Sequence, residues 1–153
     1  MVFEHDYKKF PELTNRQIEE FGFSSPHKQI TEDFRATVVR VHDGDTVTLK
    51  AGFRDFEFPL RLLDIDAPEM NEGGEEAAAW VRRRLLNEEV EIRIERSRRV
   101  DKYGRLLGKV FHRGMDLGDE LMAMGLAIPF TQRGEDIIPK LEKMFSIKQW
   151  FST

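Results

Sequence analysis

Residues 35–112 are written in short runs that favour extended chain, each closed by a turn signal. "RATVVRVH" (35–42) is rich in β-branched residues, "DGD" (43–45) is a turn, and "TVTLKAG" (46–52) resumes as a strand. "DFEFPLRLLDID" (55–66) reads as a third strand. "EVEIRIER" (89–96) alternates strictly, with Val90, Ile92 and Ile94 on one face, and "RLLGKVFH" (105–112) is entered through the turn "DKYGR". Between the third and fourth runs, "EEAAAWVRRRLLN" (75–87) puts Ala77, Val81 and Leu85 on one helical stripe. "LGDELMAMG" (117–125) is a second helix stopped by Gly125. "EDIIPKLEKMFSIKQW" (135–150) predicts a C-terminal helix with Ile138, Leu141 and Phe145 inward. The order βββ-α-ββ-α predicts a mainly β, α+β domain: a five-stranded OB-like Greek-key barrel with about three helices.

Residues 1–34 differ in character and read as an N-terminal extension, leaving 35–153 as the main domain. "LTNRQIEEFG" (13–22) predicts a short helix: Thr14 and Gln17 match a capping box, Leu13 and Ile18 a hydrophobic staple, and Gly22 a stop. A helix covering an open barrel seam is the simplest role for it. The chain has no cysteine, which excludes disulfides and thiolate metal sites. No apolar run approaches the ~20 residues of a membrane span. "MVFEHDYKKF" lacks an apolar signal core, so a cytoplasmic location is expected unless a leader has been removed.

Net charge is −4, against the basic field of proteins that coat nucleic acid. The charges are clustered, however. "RSRRVDKYGR" (96–105) holds five cations and one acid, and "VRRRL" (81–85) three arginines, while acids gather at 43–45, 64–76 and 88–91. Asp45 follows the first strand, and Asp66 and Glu69 follow the third. Neighbouring strand ends can bring such carboxylates together as an oxygen-rich site for a hard cation. Arg61, on the third strand, and Arg105, closing its turn, have the planar forks that hold phosphate oxygens. Taken singly, each group has a plainer reading: turn punctuation for "DGDT", an ion pair with Asp64 or Asp66 for Arg61, a solvated hairpin for 96–105.

Taken together, "DGDT" (43–46), "RLLDIDAPE" (61–69), "DKYGR" (101–105) and "ELMAMGLA" (120–127) resemble the staphylococcal nuclease (thermonuclease) family in order and approximate spacing. The resemblance implies a Ca²⁺-dependent phosphodiesterase, with Mg²⁺ or Mn²⁺ as alternative ions. It implies cleavage of DNA and RNA, single strands favoured, to products ending in 3′-phosphate. It assigns metal-ligating carboxylates to Asp45 and Asp66 and a carbonyl ligand to Ala67. Glu69 would orient or deprotonate the attacking water, Arg61 and Arg105 would bind the scissile phosphate, and Lys102 and Tyr103 the adjoining nucleotide. The alternative function is a non-catalytic nucleic-acid- or protein-binding module on the same barrel.

Several positions depart from the family pattern. Ala67 stands where a threonine is usual, "MNEGG" (70–74) shortens the loop after Glu69, and "IPFTQRG" (128–134) lacks the substrate-flanking tyrosines, leaving only Phe130. Asp64 is an added acid. Strict alternation would point it to the same side as Asp66.

Overall fold

The computed structural model describes residues 11–20, 22, 25–68, 73–101 and 104–130. In chain order these form α1 (Asn15–Glu19), β1 (Phe34–Asp43), β2 (Thr46–Lys50), β3 (Phe58–Leu62), β4 (Ile65–Asp66), α2 (Gly74–Leu85), β5 (Glu89–Arg93), a 3-10 turn (Arg96–Arg98), β6 (Leu106–His112), β7 (Met115–Asp116), α3 (Leu117–Ala123) and β8 (Ile128–Pro129). The C-terminal helix expected over 135–150 lies outside the described residues. Among them, no helix is long and apolar enough to cross a membrane.

The main sheet runs β3-β2-β1-β5-β6-β7, and β3 also pairs with β6, which closes the first five strands into a barrel. The closing pair is parallel, Leu60 opposite Leu106, whereas the other pairings are antiparallel. The expected five-stranded barrel with three helices is therefore present. β1, the longest strand, pairs with β5 through Phe34–Thr37 and with β2 through Thr37–Asp43. It bulges along the second stretch. Register shifts fall between Val38 and Arg40 and between Val41 and Asp43. The extra residue flips the alternation, so Ala36, Val38 and Val41 are buried while Arg40 is exposed.

The interior is filled by Val38, Val47, Leu49, Leu60, Leu62, Ile92, Leu106 and Val110. Each such side chain contributes about 1.5–3 kcal/mol when fully buried. Gly108 lies within β6 because the wall is thin there: an added Cβ would stand 2.8 Å from Ile92 Cγ2 and 3.3 Å from the Arg93 carbonyl. Helix α2 seals one side through Ala77, Ala78, Val81 and Leu85, the stripe read from the sequence. Glu75 and Glu76 in its first turn and Arg82, Arg83 and Arg84 in its last oppose the helix dipole. Asp116 caps α3 by accepting from the Gly118 and Asp119 N–H groups, and Leu117 and Leu121 pack inward.

The N-terminal segment is sewn into this body on either side of α1. The Thr14–Gln17 capping box forms as expected. Leu13 is buried, but Ile18 is exposed, so the expected staple buries only one of its two members. Most of α1 faces solvent, while Glu12, Leu13 and, after the loop, Ile30 are buried.

Candidate active site

The third strand is shorter than its sequence suggests. It stops at Leu62, and Leu63–Asp64 turn before the two-residue β4 pairs with β8. Asp64 has φ 69, in the left-handed region that Asp tolerates better than most residues. A turn here breaks the alternation, so Asp64 does not share a side with Asp66. It takes a different partner: Arg98 grips it through Nη1 at 2.5 Å and Nη2 at 3.2 Å, with Glu95 on the same guanidinium. Hydrogen bonds with Asp64 and then Glu95 raise the Arg98 pKa. The unexplained acid is thus a strap between the β3–β4 turn and the 96–98 turn.

The β1–β2 turn supplies Asp45. The Asp43 carboxylate accepts from the Asp45 N–H at 3.0 Å, and the Asp45 carbonyl accepts from Leu62 N–H at 2.8 Å. Gly44 lets this turn settle onto α2, since a Cβ there would come within 2.8 Å of both Ala67 Cβ and Ala77 Cβ. Register then sets the rest. Thr46 pairs with Arg61, which brings Arg61 beside Asp45.

Arg61 is the hub. Its Nη2 donates to Asp45 Oδ2 at 3.4 Å and Asp66 Oδ1 at 3.2 Å, and its Nη1 to the carbonyls of Leu62 at 2.6 Å and Ile65 at 3.0 Å. Phe130 lies against the guanidinium, ring centroid 5.3 Å from Cζ. The β4–β8 pairing and the Phe130 N–H, which donates to the Asp64 carbonyl at 2.8 Å, hold the ring there. Of the plainer alternatives, the ion pair with Asp66 forms and that with Asp64 does not.

Asp45 is further held by the Ala67 N–H at 2.9 Å and the Thr46 hydroxyl at 3.1 Å. Burial alone would raise its pKa, but the Arg61 charge, the Asp43 hydrogen bond, the Ala67 N–H and the Thr46 hydroxyl together lower it. Asp43 goes the other way. Burial, then its hydrogen bond with Asp45 and the charge of that carboxylate, push it up to about 6.

That difference predicts a pH signature. The folded state holds the Asp43 proton up to about 6, the unfolded chain only to about 3.8. Stability from this group is therefore present at low pH and lost as pH rises between those values. In chelator-treated protein, Asp43→Asn is expected to remove this decline and to add about 1–2 kcal/mol at pH 7, allowing for partial solvent screening. Urea melts across pH 4–7 check it. Parallel curves for the two proteins would contradict it.

Arg105 stands at the foot of the adjacent wall. Leu60–Leu62 pair in parallel with Leu106–Gly108, so the strand that carries Arg61 lies beside the one that begins after Arg105. Asp101 holds Arg105 twice, Oδ2 to Nε at 2.7 Å and Oδ1 to the backbone N–H at 2.9 Å, across a turn in which Gly104 has φ 83. Glu69, Lys102 and Tyr103 lie outside the described residues.

Among the described residues the structure thus brings Asp45, Arg61, Asp66 and Ala67 together, with Arg105 just before the neighbouring strand β6. Asp101 is a supporting residue that the sequence does not single out, and Phe130, expected only as a partial replacement for the missing tyrosines, packs on Arg61. An Asp four residues before an Arg across a glycine turn was the signal for the first. Asp45 and Asp66 offer only hard oxygen donors, the chemistry that suits Ca²⁺ or Mg²⁺ with carbonyls and waters completing the shell. No group of three or more His, Asp or Glu side chains is poised for a metal among the described residues.

Comparison with known proteins supplies context. The sequence model of a family described as "Staphylococcal nuclease homologue" matches residues 59–149. The "Micrococcal nuclease" of Shigella flexneri is 40% identical over 81 residues, 52% of this chain and 43% of that protein. An uncharacterized Bacillus anthracis protein is 30% identical over 99 residues, 60% of this chain and 45% of its own length. A Leptosphaeria maculans protein named "Probable endonuclease" is 32% identical over 85 residues, 48% of this chain and 28% of its own. The chain spans less than half the length of each. The family match begins after Asp45, which the β2–β3 pairing nevertheless delivers to the same guanidinium as Asp66.

Proposed function

Because the chain belongs to the staphylococcal nuclease homologue family, we propose that it is a metal-dependent phosphodiesterase acting on DNA and RNA, with single strands preferred, Ca²⁺ as its ion and 3′-phosphate ends on its products. The observation that carries this reading is the convergence of two carboxylates on one arginine, Asp45 from the β1–β2 turn and Asp66 from β4, both on Arg61. Asp45 and Asp66 would hold the cation, with the Ala67 carbonyl beside them. When bound, the cation offsets the charge of the scissile phosphate, which otherwise repels a nucleophile.

The chain's own groups do the rest. Arg105, oriented by Asp101, presents its fork to the phosphate oxygens. Arg61 commits its Nη hydrogens to protein oxygens, which among the described residues leaves its Nε–H for the substrate. Both cations stabilise charge that grows on the phosphorane-like transition state. Glu69 removes the proton from the attacking water.

The test is cleavage of an end-labelled single-stranded oligonucleotide with Ca²⁺, then with Mg²⁺ or Mn²⁺, then with chelator. Cleavage that needs a divalent ion, leaves 3′-phosphate ends and falls sharply in Glu69→Gln is the expected result. Salt-sensitive binding with no cleavage under any ion would instead identify a binding module.

A further inference from the structure

We propose that the N-terminal segment positions the substrate-facing hairpin: Glu12 fixes Arg99, and Arg99 fixes the Asp101–Arg105 turn that presents Arg105. The proposal rests on the nuclease reading above and gives a role to residues that lie outside the family match.

The geometry begins with a carboxylate in the interior. The Glu12 side chain is 1% exposed and lies between Arg54 and Arg99, at 2% and 4%. Its Oε2 accepts from Arg54 Nη2 at 2.5 Å. Its Oε1 accepts from the Ile30 N–H at 2.8 Å and from Arg99 Nη1 at 3.4 Å. Arg99 also donates to the Ile30 carbonyl at 3.2 Å and the Leu13 carbonyl at 2.7 Å. One guanidinium from the hairpin therefore clasps the chain on either side of α1.

From Arg99 the path to Arg105 is short. The Arg99 carbonyl accepts from Leu107 N–H at 2.8 Å, Val100 bridges to Leu106, and Asp101 holds Arg105 as described. The adjacent Arg98 reaches the other way, to Asp64, but that pair is exposed and screened by water. The buried pair is the stiffer anchor, because a buried charge that loses its partner is left without compensation and cannot drift away gradually. A hairpin that must hold several cations against a polyanion needs such an anchor. Small displacements of a phosphate-binding group lower rates steeply.

A double-mutant cycle on kcat/KM for a single-stranded oligonucleotide with Ca²⁺ tests it, in the full chain. Arg99→Lys keeps the charge but loses the fork. Alone it is expected to lower kcat/KM about tenfold, and in an Arg105→Ala background by less than about twofold, because its route of action is already gone. A variant that merely reduced the folded population would multiply with Arg105→Ala. Multiplying effects, or wild-type cleavage by Arg99→Lys, would overturn the proposal. A second measurement needs no substitution: amide exchange of Ile30, Arg105 and Leu107. These N–H groups bond Glu12, Asp101 and Arg99, and are expected to open as one unit with the same denaturant dependence. Separate, faster opening of Ile30 would overturn it. If the unsubstituted protein cleaves nothing, the nuclease reading falls while the exchange result still decides the anchoring.

Discussion

Replacing Arg61 with alanine is expected to lower kcat by about 10²–10³-fold, the cost of removing one preorganised donor from a charge-stabilising site. The loss has two sources. The Nε–H and the positive charge vanish from the proposed phosphate site. In addition, the carbonyls of Leu62 and Ile65 and the carboxylates of Asp45 and Asp66 lose their shared donor, so the β1–β2 turn and β4 are no longer drawn together. Those carboxylates are 11% and 13% exposed, so stability should also fall, by about 2–3 kcal/mol, somewhat less than for a fully buried pair. Arg61→Lys separates the two effects. An ammonium restores charge and some stability, but it has no planar fork for four oxygens and no flat face for Phe130. Its kcat should stay near that of Arg61→Ala. Recovery of both activity and stability would show that charge alone matters here.

The largest effect on stability is expected from Glu12→Gln, about 3–5 kcal/mol, because an amide leaves two buried guanidinium groups with no counter-charge. For a chain of this size that is a fall in Tm of roughly 6–20 °C. Arg54 cannot rearrange easily. Its Cζ lies 4.6 Å from the Phe58 ring centroid and 5.1 Å from that of Phe56, and its Nη1 is buried with no hydrogen-bond partner among the described residues. The same substitution at Glu20, which forms an exposed pair with Arg16, should change stability by no more than about 0.5 kcal/mol. Urea denaturation compares the two. A Glu12→Gln midpoint within error of the parent would mean that the network is not compensated through this carboxylate.

What the sequence disclosed depended on the range of each interaction. Val90 and Ile92 announce β5 because alternation is local. The capping box at Thr14 and Gln17 is likewise local. The bulges in β1 are not: nothing near Arg40 says that Val41 turns inward, since the shifts are set by the register with β2. Asp64 looked misplaced because the strand was read through it, and its partner Arg98 is far along the chain. Glu12 carries the same lesson further. Its partners Arg54 and Arg99 come from different loops, and an acid after a proline gives no sign that it will be buried. In the site, "DGDT" and "RLLDIDAPE" were legible as motifs, whereas the grip of Arg61 on both carboxylates required the Thr46–Arg61 register.

The parallel closure of β3 on β6 has a consequence for biosynthesis. A chain emerging from the ribosome through residue 68 already carries Asp45, Arg61 and Asp66, but the wall beside them is missing until β6 has been made. Long-range pairings of this kind are among the last to form, since the loop must close before the contact rewards it. The strands that carry Arg61 and follow Arg105, the two proposed phosphate-binding residues, therefore come side by side only when the barrel shuts. Unfinished or partly opened chains hold the acids without Arg105 alongside. An unfinished chain therefore carries the proposed cation-holding acids without the second of the two proposed phosphate-binding arginines.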